Sequence, residues 1–501
     1  METNLLFKKT CDHYRECGVL QSIGAILEWD EQTMAPAKAS AYRAEQVACI
    51  ARTLHRLRTL DKVGDWIQTL VDSDLASDPR SQSGSTIRNL ARDFTRQKKL
   101  PESLVEAISK QAVIGQQAWV QARKESDFSS FAPHLERILR LKREEADAVG
   151  FLDERYDALL DDYEPGATTA DVEKVLGGLK QQLVPLVRQI LDSKKKPDRS
   201  IACRPLSVSC QRRLGISAAE LLGFDFQRGR LDTSTHPFST ELGPDDCRIT
   251  TRYDEDFYLW SFFGTLHEVG HGMYEQGLKP DQYGLPLGKY ASLGIHESQS
   301  RLWENLVGRS RSFWEFFYPK FQEHHPDLGN VSLDAFYFAV NDVQASPIRV
   351  EADEVTYNLH IIIRFELERQ LLDERLAVSD LPQAWNEMYD ELLGIRPVDD
   401  AKGVLQDVHW SAGSIGYFPT YTLGNLYAAQ LFAAAEKDTG NLADMFRVGE
   451  FAPLLGWMRE NVHQQGRRLG SVELVEDVTG EAPDARYLMD HLRRKLLPLY
   501  T

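Results

Sequence analysis

The sequence predicts a mainly α fold with a minor β element. Apolar residues recur every three or four positions through most segments, as in LERILRLKREEADAV (135–149) and ADVEKVLGGLKQQLVPLVRQIL (170–191). Helix-start chemistry accompanies the pattern. Thr168, Thr169 and Asp171 follow the turn EPGA, where side-chain oxygens can accept the first unpaired N–H groups of a helix. Strand signals are few: IACRPLSVSCQRRL (201–214) has some strand character, and CRITTRYDED (247–256) alternates Ile249, Thr251 and Tyr253 in the manner of an edge strand.

At 501 residues the chain is long enough for two or three domains, but no Pro/Gly/Ser-rich linker separates them and no repeat stands out. One body over residues 1–501 is expected, with a helical lobe over roughly 1–200 and a second lobe over roughly 201–501 that carries the chemical motifs. A composition of 42% hydrophobic and 27% charged residues suits a soluble globular protein and excludes disordered and fibrous classes. The net charge of −17 argues against a nucleic-acid or anionic-membrane surface, which needs clustered cations; Lys194 to Lys196 read as a solvated loop. No apolar signal region opens the chain and no run of eighteen apolar residues occurs, so a soluble cytoplasmic protein is expected. Six cysteines, none in a CxxC pair, read as free thiols of a reducing compartment.

The stretch GTLHEVGHGMYEQG (264–277) carries the strongest chemical signal. From Phe257 to Gly277 the sequence reads as a helix, and residues four apart lie on one face, so His267 and His271 can point at one ion. Neutral imidazole is a good zinc ligand, and Glu268, next to the first histidine, can accept a proton from a water at the metal. Gly264, Gly270 and Gly272 each weaken a helix, which makes sense if a backbone or a substrate approaches closely. A third ligand is required by a catalytic site that keeps one position for water. Glu297, 26 residues after His271 on a second amphipathic segment (293–309), suits that role; the adjacent His296 is the rival. Glu304, seven positions beyond Glu297, can accept the second N–H of a ligand imidazole.

Beside HEVGH the chain carries DCRIT (246–250), HESQ (296–299), IRVEAD (348–353) and GVLQDVHW (403–410), and also WDEQTMAP (29–36), YDALLDDYEPG (156–166) and HPFS (236–239). In these segments, which span nearly the whole sequence, it resembles the M32 metallocarboxypeptidases, the family that includes thermostable carboxypeptidases of bacteria and archaea. The AKAS that follows TMAP replaces the glycines expected there and touches nothing catalytic. The resemblance implies a large helical, bundle-like body of the neurolysin (gluzincin) kind with a deep groove, commonly a homodimer. It implies Glu297 as the third ligand, and removal of single residues from the free C-terminus of peptides with broad specificity and a poor fit for terminal proline.

One divalent ion is expected, zinc first and cobalt second. A developing oxyanion needs donors already aimed at it, and QDVHWSAGSIGYFPTYTLGN (406–425) offers His409, Tyr417 and Tyr421. His409 with Tyr421 is preferred, since the family signature includes the histidine, while Tyr417 reads equally well as a packed core tyrosine. An exopeptidase must also hold a terminal carboxylate, which the planar fork of arginine matches with two parallel hydrogen bonds. Arg349 in IRVEAD is preferred for that contact, and Arg248 in DCRIT is left to a salt bridge shaping the closed end of the groove. The alternative is a helical zinc endo-oligopeptidase, which would share HExxH and Glu297 but need no carboxylate clamp.

Overall fold

Helices run from Glu2–Thr33 to Arg486–Tyr500 in the computed structural model, which describes residues 2–501, and the mainly α expectation holds. The two helices read from periodicity are Phe128–Val149 and Thr169–Leu191. Their N-caps satisfy the first free backbone groups as capping chemistry requires: Asp127 accepts from the Ser130 N–H and Thr168 from the Asp171 N–H. No helix is long and apolar enough to cross a membrane among the described residues, and all six cysteines are free.

The β element is a single three-stranded sheet of β1 (Gly229–Thr233), β2 (Ser239–Glu241) and β3 (Cys247–Thr251). The order is β1-β3-β2, with β1 parallel to β3 and β2 antiparallel to it. Two strand expectations are corrected here. The 201–214 stretch is not extended: Val208–Leu222 is a helix, because Leu214, Ala218, Ala219 and Leu222 form one buried stripe, and Gly223 at φ +104° closes it. The 247–251 stretch is a strand, but the central one rather than an edge, so all of its residues but Arg248 are buried.

The chain forms two compact units, each assembled from three separate stretches. One comprises Met1–Gln97, Pro197–Val340 and Tyr427–Pro483; the other comprises Lys98–Lys196, Asn341–Leu426 and Asp484–Thr501.

In the first unit β3 leads into the histidine helix, Tyr258–Gly277. The helix is fixed at its start by aromatic packing, with Phe262 against Trp314, Phe317 and Phe321 at ring-centroid distances of 5.4, 5.8 and 5.4 Å. Thr265 ties it to the sheet: its hydroxyl lies 3.2 Å from that of Thr251 and 2.6 Å from the Ser261 carbonyl. The following helix, Leu293–Arg301, packs against it so closely that a Cβ added to Gly270 would meet the Gln299 carbonyl oxygen at 2.5 Å and Ser300 Cα at 2.6 Å. Gly272 is crowded by the Phe224 ring, at 2.6 Å from such a Cβ, whereas Gly264 faces open space and so owes nothing to a close approach.

This contrast is testable by chemical denaturation of the metal-loaded protein. Gly270→Ala should lose about 1–3 kcal/mol, because backbone rather than a movable side chain blocks the methyl. Gly264→Ala should gain up to about 1 kcal/mol from helix propensity alone.

Candidate active site

The histidine helix and its neighbour bring His267, His271 and Glu297 together, with one donor atom from each lying within 4.8 Å of the others. Helical spacing places the two imidazoles one turn apart, their ring centroids 4.9 Å from each other. Glu297 Oε2 lies 3.8 Å from His267 Nε2 and 3.5 Å from His271 Nε2.

Hydrogen bonds behind these donors decide which atoms face inward. His267 Nδ1 is 2.9 Å from Glu304 Oε2, and His271 Nδ1 is 3.1 Å from the His296 carbonyl oxygen. With Nδ1–H donated outward, each Nε2 turns its lone pair toward Glu297 Oε2. That is the donor set and the supporting arrangement a tetrahedral divalent ion requires, so the residues fit a metal. Arg301 completes the frame, with Nε 2.7 Å from Glu297 Oε1 and Nη1 3.3 Å from Glu304 Oε2. Glu304 stands on a π-helical turn, Leu302–Val307, that continues the Leu293–Arg301 helix.

His296 is not in this cluster. Its ring stacks on His271 at 4.2 Å and its Nε2 lies 3.2 Å from Glu275 Oε1, so it supports a ligand through its backbone carbonyl instead.

The electrostatics suit metal capture. Burial, reinforced by His296, pushes His271 down to about 3, so its imidazole stays neutral. Burial raises Glu297 and Glu304, but Arg301 and the histidines outweigh it, holding Glu297 well below the usual carboxylate range and Glu304 at about 2. Glu268 behaves differently: burial, with Glu297, Glu304 and Glu275 nearby, pushes it up to about 7, against the opposing pull of His267. No hydrogen bond to its carboxyl is found among the described residues, which leaves it available for proton transfer.

The second unit holds the other sequence candidates. His409 lies in an irregular segment between the Leu381–Leu393 helix and the Pro419–Thr439 helix, on which Tyr421 stands; His409 Nε2 is 3.1 Å from the Tyr421 hydroxyl. Burial and the neighbouring Arg349 push His409 down to about 3, so the imidazole is uncharged. Tyr417 is half-buried, its ring 5.3 Å from His409 and 5.2 Å from Tyr421.

Arg349 is buried. Its Nε and Nη2 both lie 2.8 Å from Asp407 Oδ1, and its Nη1 donates to the Tyr357 hydroxyl at 3.0 Å. Arg364 claims the other side of the same carboxylate, with Nε 2.7 Å from Oδ2. Two guanidinium groups thus share one Asp407, which they hold well below the usual range despite its burial. With His409 neutral, the trio itself carries a net charge of +1 in a buried place, and the Glu368 carboxyl one turn along the same helix feels Arg364. Arg248, in the first unit, forms a two-pronged pair with Asp246 at 2.8 Å and stacks over Trp29, its guanidinium 4.4 Å from the ring centroid.

Several residues escaped sequence reading. Arg301, four positions after Glu297, and Asp407, two before His409, had a positional signal; Arg364 and Glu368 had none. Glu368 is fully buried and accepts from the Tyr156 hydroxyl at 2.7 Å, Trp410 Nε1 at 2.8 Å and the Gly416 N–H at 3.0 Å. It pins the irregular segment just after His409, at Trp410 and at Gly416.

Comparison with known proteins finds matches over nearly the whole chain. Residues 9–496 match the family model described as Carboxypeptidase Taq (M32) metallopeptidase. Thermostable carboxypeptidase 1 of Thermus thermophilus is 46% identical, with 100% of each chain aligned, and Carboxypeptidase 1 of Bacillus subtilis is 39% identical over 98% of this chain and 97% of that one. The crystal structure of the M32 carboxypeptidase from Deinococcus radiodurans superposes with a TM-score of 0.95 at 38% identity over 99% of each chain.

Glu368 yields a pH prediction. Burial pushes its carboxyl up to about 7, whereas in the unfolded chain it titrates in the ordinary range. A raised folded pKa contributes stability that is complete below that ordinary range and is lost as pH rises through about 7. Glu368→Gln should therefore be less stable than the wild type at pH 5, with the difference in Tm shrinking steadily toward pH 8.

Proposed function

The chain belongs to the Carboxypeptidase Taq (M32) metallopeptidase family and is a metal-dependent carboxypeptidase, and on that premise we propose how its own residues divide the work. His267, His271 and Glu297 hold the ion, which we assign as zinc, with cobalt accepted by the same donors. When bound, a divalent ion supplies Lewis-acid polarisation of the scissile carbonyl and acidifies water.

Glu268 takes the proton of the attacking water as its oxygen bonds to the carbonyl carbon, then delivers that proton to the leaving amine nitrogen as the C–N bond breaks. Its buried carboxyl suits both halves of the task, because a cation held by the neighbouring donors favours the ionised form before attack. His409 and Tyr421 donate hydrogen bonds to the oxyanion, a role supported by their mutual contact and by the neutrality of the imidazole. Arg349 binds the free C-terminal carboxylate. The single observation that carries the exopeptidase reading is the surplus charge of the Arg349–Asp407–Arg364 trio, which a substrate carboxylate neutralises. Arg248 remains a structural partner of Asp246 in this reading, shaping the closed end of the groove, and release is of single residues with broad specificity.

The six free thiols support a cytoplasmic site of action. Val19, Ile23 and Ile26, exposed along one side of the Glu2–Thr33 helix, support a homodimer as the working assembly.

A time course on one short peptide as free acid and as C-terminal amide, followed by mass spectrometry, tests the reading. Stepwise loss of terminal residues from the acid alone is expected, abolished by chelator and reduced about 10²–10⁴-fold or more in Glu268→Gln. Internal cleavage of both forms would point to the endo-oligopeptidase instead.

A second pair of variants separates clamp from scaffold. Asp407→Asn leaves two guanidinium groups buried together and should cost about 3–5 kcal/mol of stability. Arg349→Met leaves the Arg364–Asp407 pair intact, so it should unfold near the wild-type denaturant midpoint while KM for the free acid rises at least tenfold.

A further inference from the structure

The first unit contains a cavity of about 100 Å³ that the reaction does not use. Tyr14, Leu90, Phe94 and Pro286 form walls, and the charged lining is Arg58, Lys289, Arg467 and Asp93. Three cations face one carboxylate, an excess of two positive charges in a chain whose net charge is −17.

The charges are not equally satisfied. Asp93 is consumed by Arg467, whose Nη1 and Nη2 lie 2.8 and 2.9 Å from its two carboxylate oxygens, and Arg92 adds a contact at 3.0 Å from outside the cavity lining. Arg58 bonds the neutral Gln21 amide oxygen at 2.7 Å and has no carboxylate within ion-pair reach among the described residues. The Lys289 ammonium has neither a hydrogen-bond nor an ion-pair partner among the described residues. Both side chains are half-buried, and long cationic side chains are seldom drawn even partly out of bulk water without an opposite charge.

The cavity is a built feature. The loop that carries Lys289 is pressed onto the Glu2–Thr33 helix, where a Cβ added to Gly18 would meet Gly284 Cα at 2.7 Å. Pro286 to Gly288 then form a short buried turn that delivers Lys289 to the cavity. Burial and the two arginines lower the lysine to about 8, against the opposing pull of Asp93 and Glu241.

We propose that this cavity is a binding site for a small oxyanion, held by the Lys289 ammonium and the Arg58 guanidinium against the apolar wall of Leu90, Phe94 and Pro286. Both phosphate and a small carboxylate offer oxygens that accept from an ammonium and a guanidinium. The volume holds several waters or one such anion, and the contacts are those that give charge-assisted hydrogen bonds their strength.

Isothermal titration of the metal-loaded protein tests the proposal, with sodium phosphate in one arm and sodium malonate in the other, each at constant ionic strength in a buffer free of other oxyanions. Saturable binding of one anion per chain is expected, weakened at least tenfold in Lys289→Met and in Arg58→Gln. It should survive in Lys289→Arg, which keeps the charge, and in Arg349→Met, which removes the other cationic site. Phosphate alone binding assigns a phosphoryl-bearing ligand, and malonate alone assigns a carboxylate. Absence of saturable binding in both arms, or binding unchanged in Lys289→Met and Arg58→Gln, overturns the proposal.

Discussion

Two helices meet at Gly270 with no room for a methyl group between them, and the candidate metal centre depends on that contact. The imidazoles of His267 and His271 project from one helix and the carboxylate of Glu297 from the other, so the separation of the two backbones sets the distance between donors. A side chain at position 270 would push the carboxylate outward, and a few tenths of an ångström matter where ligand bonds are about 2 Å long. The helix gives up intrinsic stability for this glycine, and the aromatic packing of Phe262 together with the Thr265–Thr251 contact holds it in place regardless.

Each functional group is oriented by a partner of opposite or complementary character. Arg301 occupies Glu297 Oε1, which leaves Oε2 to face the imidazoles; Glu304 and the His296 carbonyl fix the ring tautomers. In the second unit Asp407 orients Arg349 but is itself shared with Arg364, so the proposed clamp is held rigid without being neutralised. A single aspartate does both because each of its oxygens serves a different guanidinium. Rigid placement with a residual charge is what recognition of a carboxylate needs.

Legibility from sequence followed locality. His267, His271 and Glu268 were readable because a helix converts a spacing of four into one face, and Glu297 because family motifs surround it. The 201–214 stretch misled because Leu206, Val208 and Cys210 alternate with Ser207 and Ser209, while the stripe that makes 208–222 helical is apparent only through Leu222. Gly264 was grouped with Gly270 on composition alone, and only the neighbouring backbone tells them apart. Arg364 and Glu368 were unreadable for a different reason. They lie one turn apart on the Tyr357–Leu372 helix, where only Glu366 and Gln370 escape burial, so no polar face marks them out, and their partners Asp407 and Trp410 lie some forty residues away.

The interleaving of the two units has a consequence for how the protein is made. The unit that carries His267, His271 and Glu297 also includes Tyr427–Pro483, and the unit that carries Arg349 and His409 includes the last eighteen residues, Asp484–Thr501. Synthesis from the N-terminus therefore cannot finish either unit early. Until the Tyr427–Pro483 stretch has been made, Phe313 lacks the ring of Phe451 and Tyr274 that of His463. Sequence-distant contacts of this kind slow folding and prolong exposure of apolar surface.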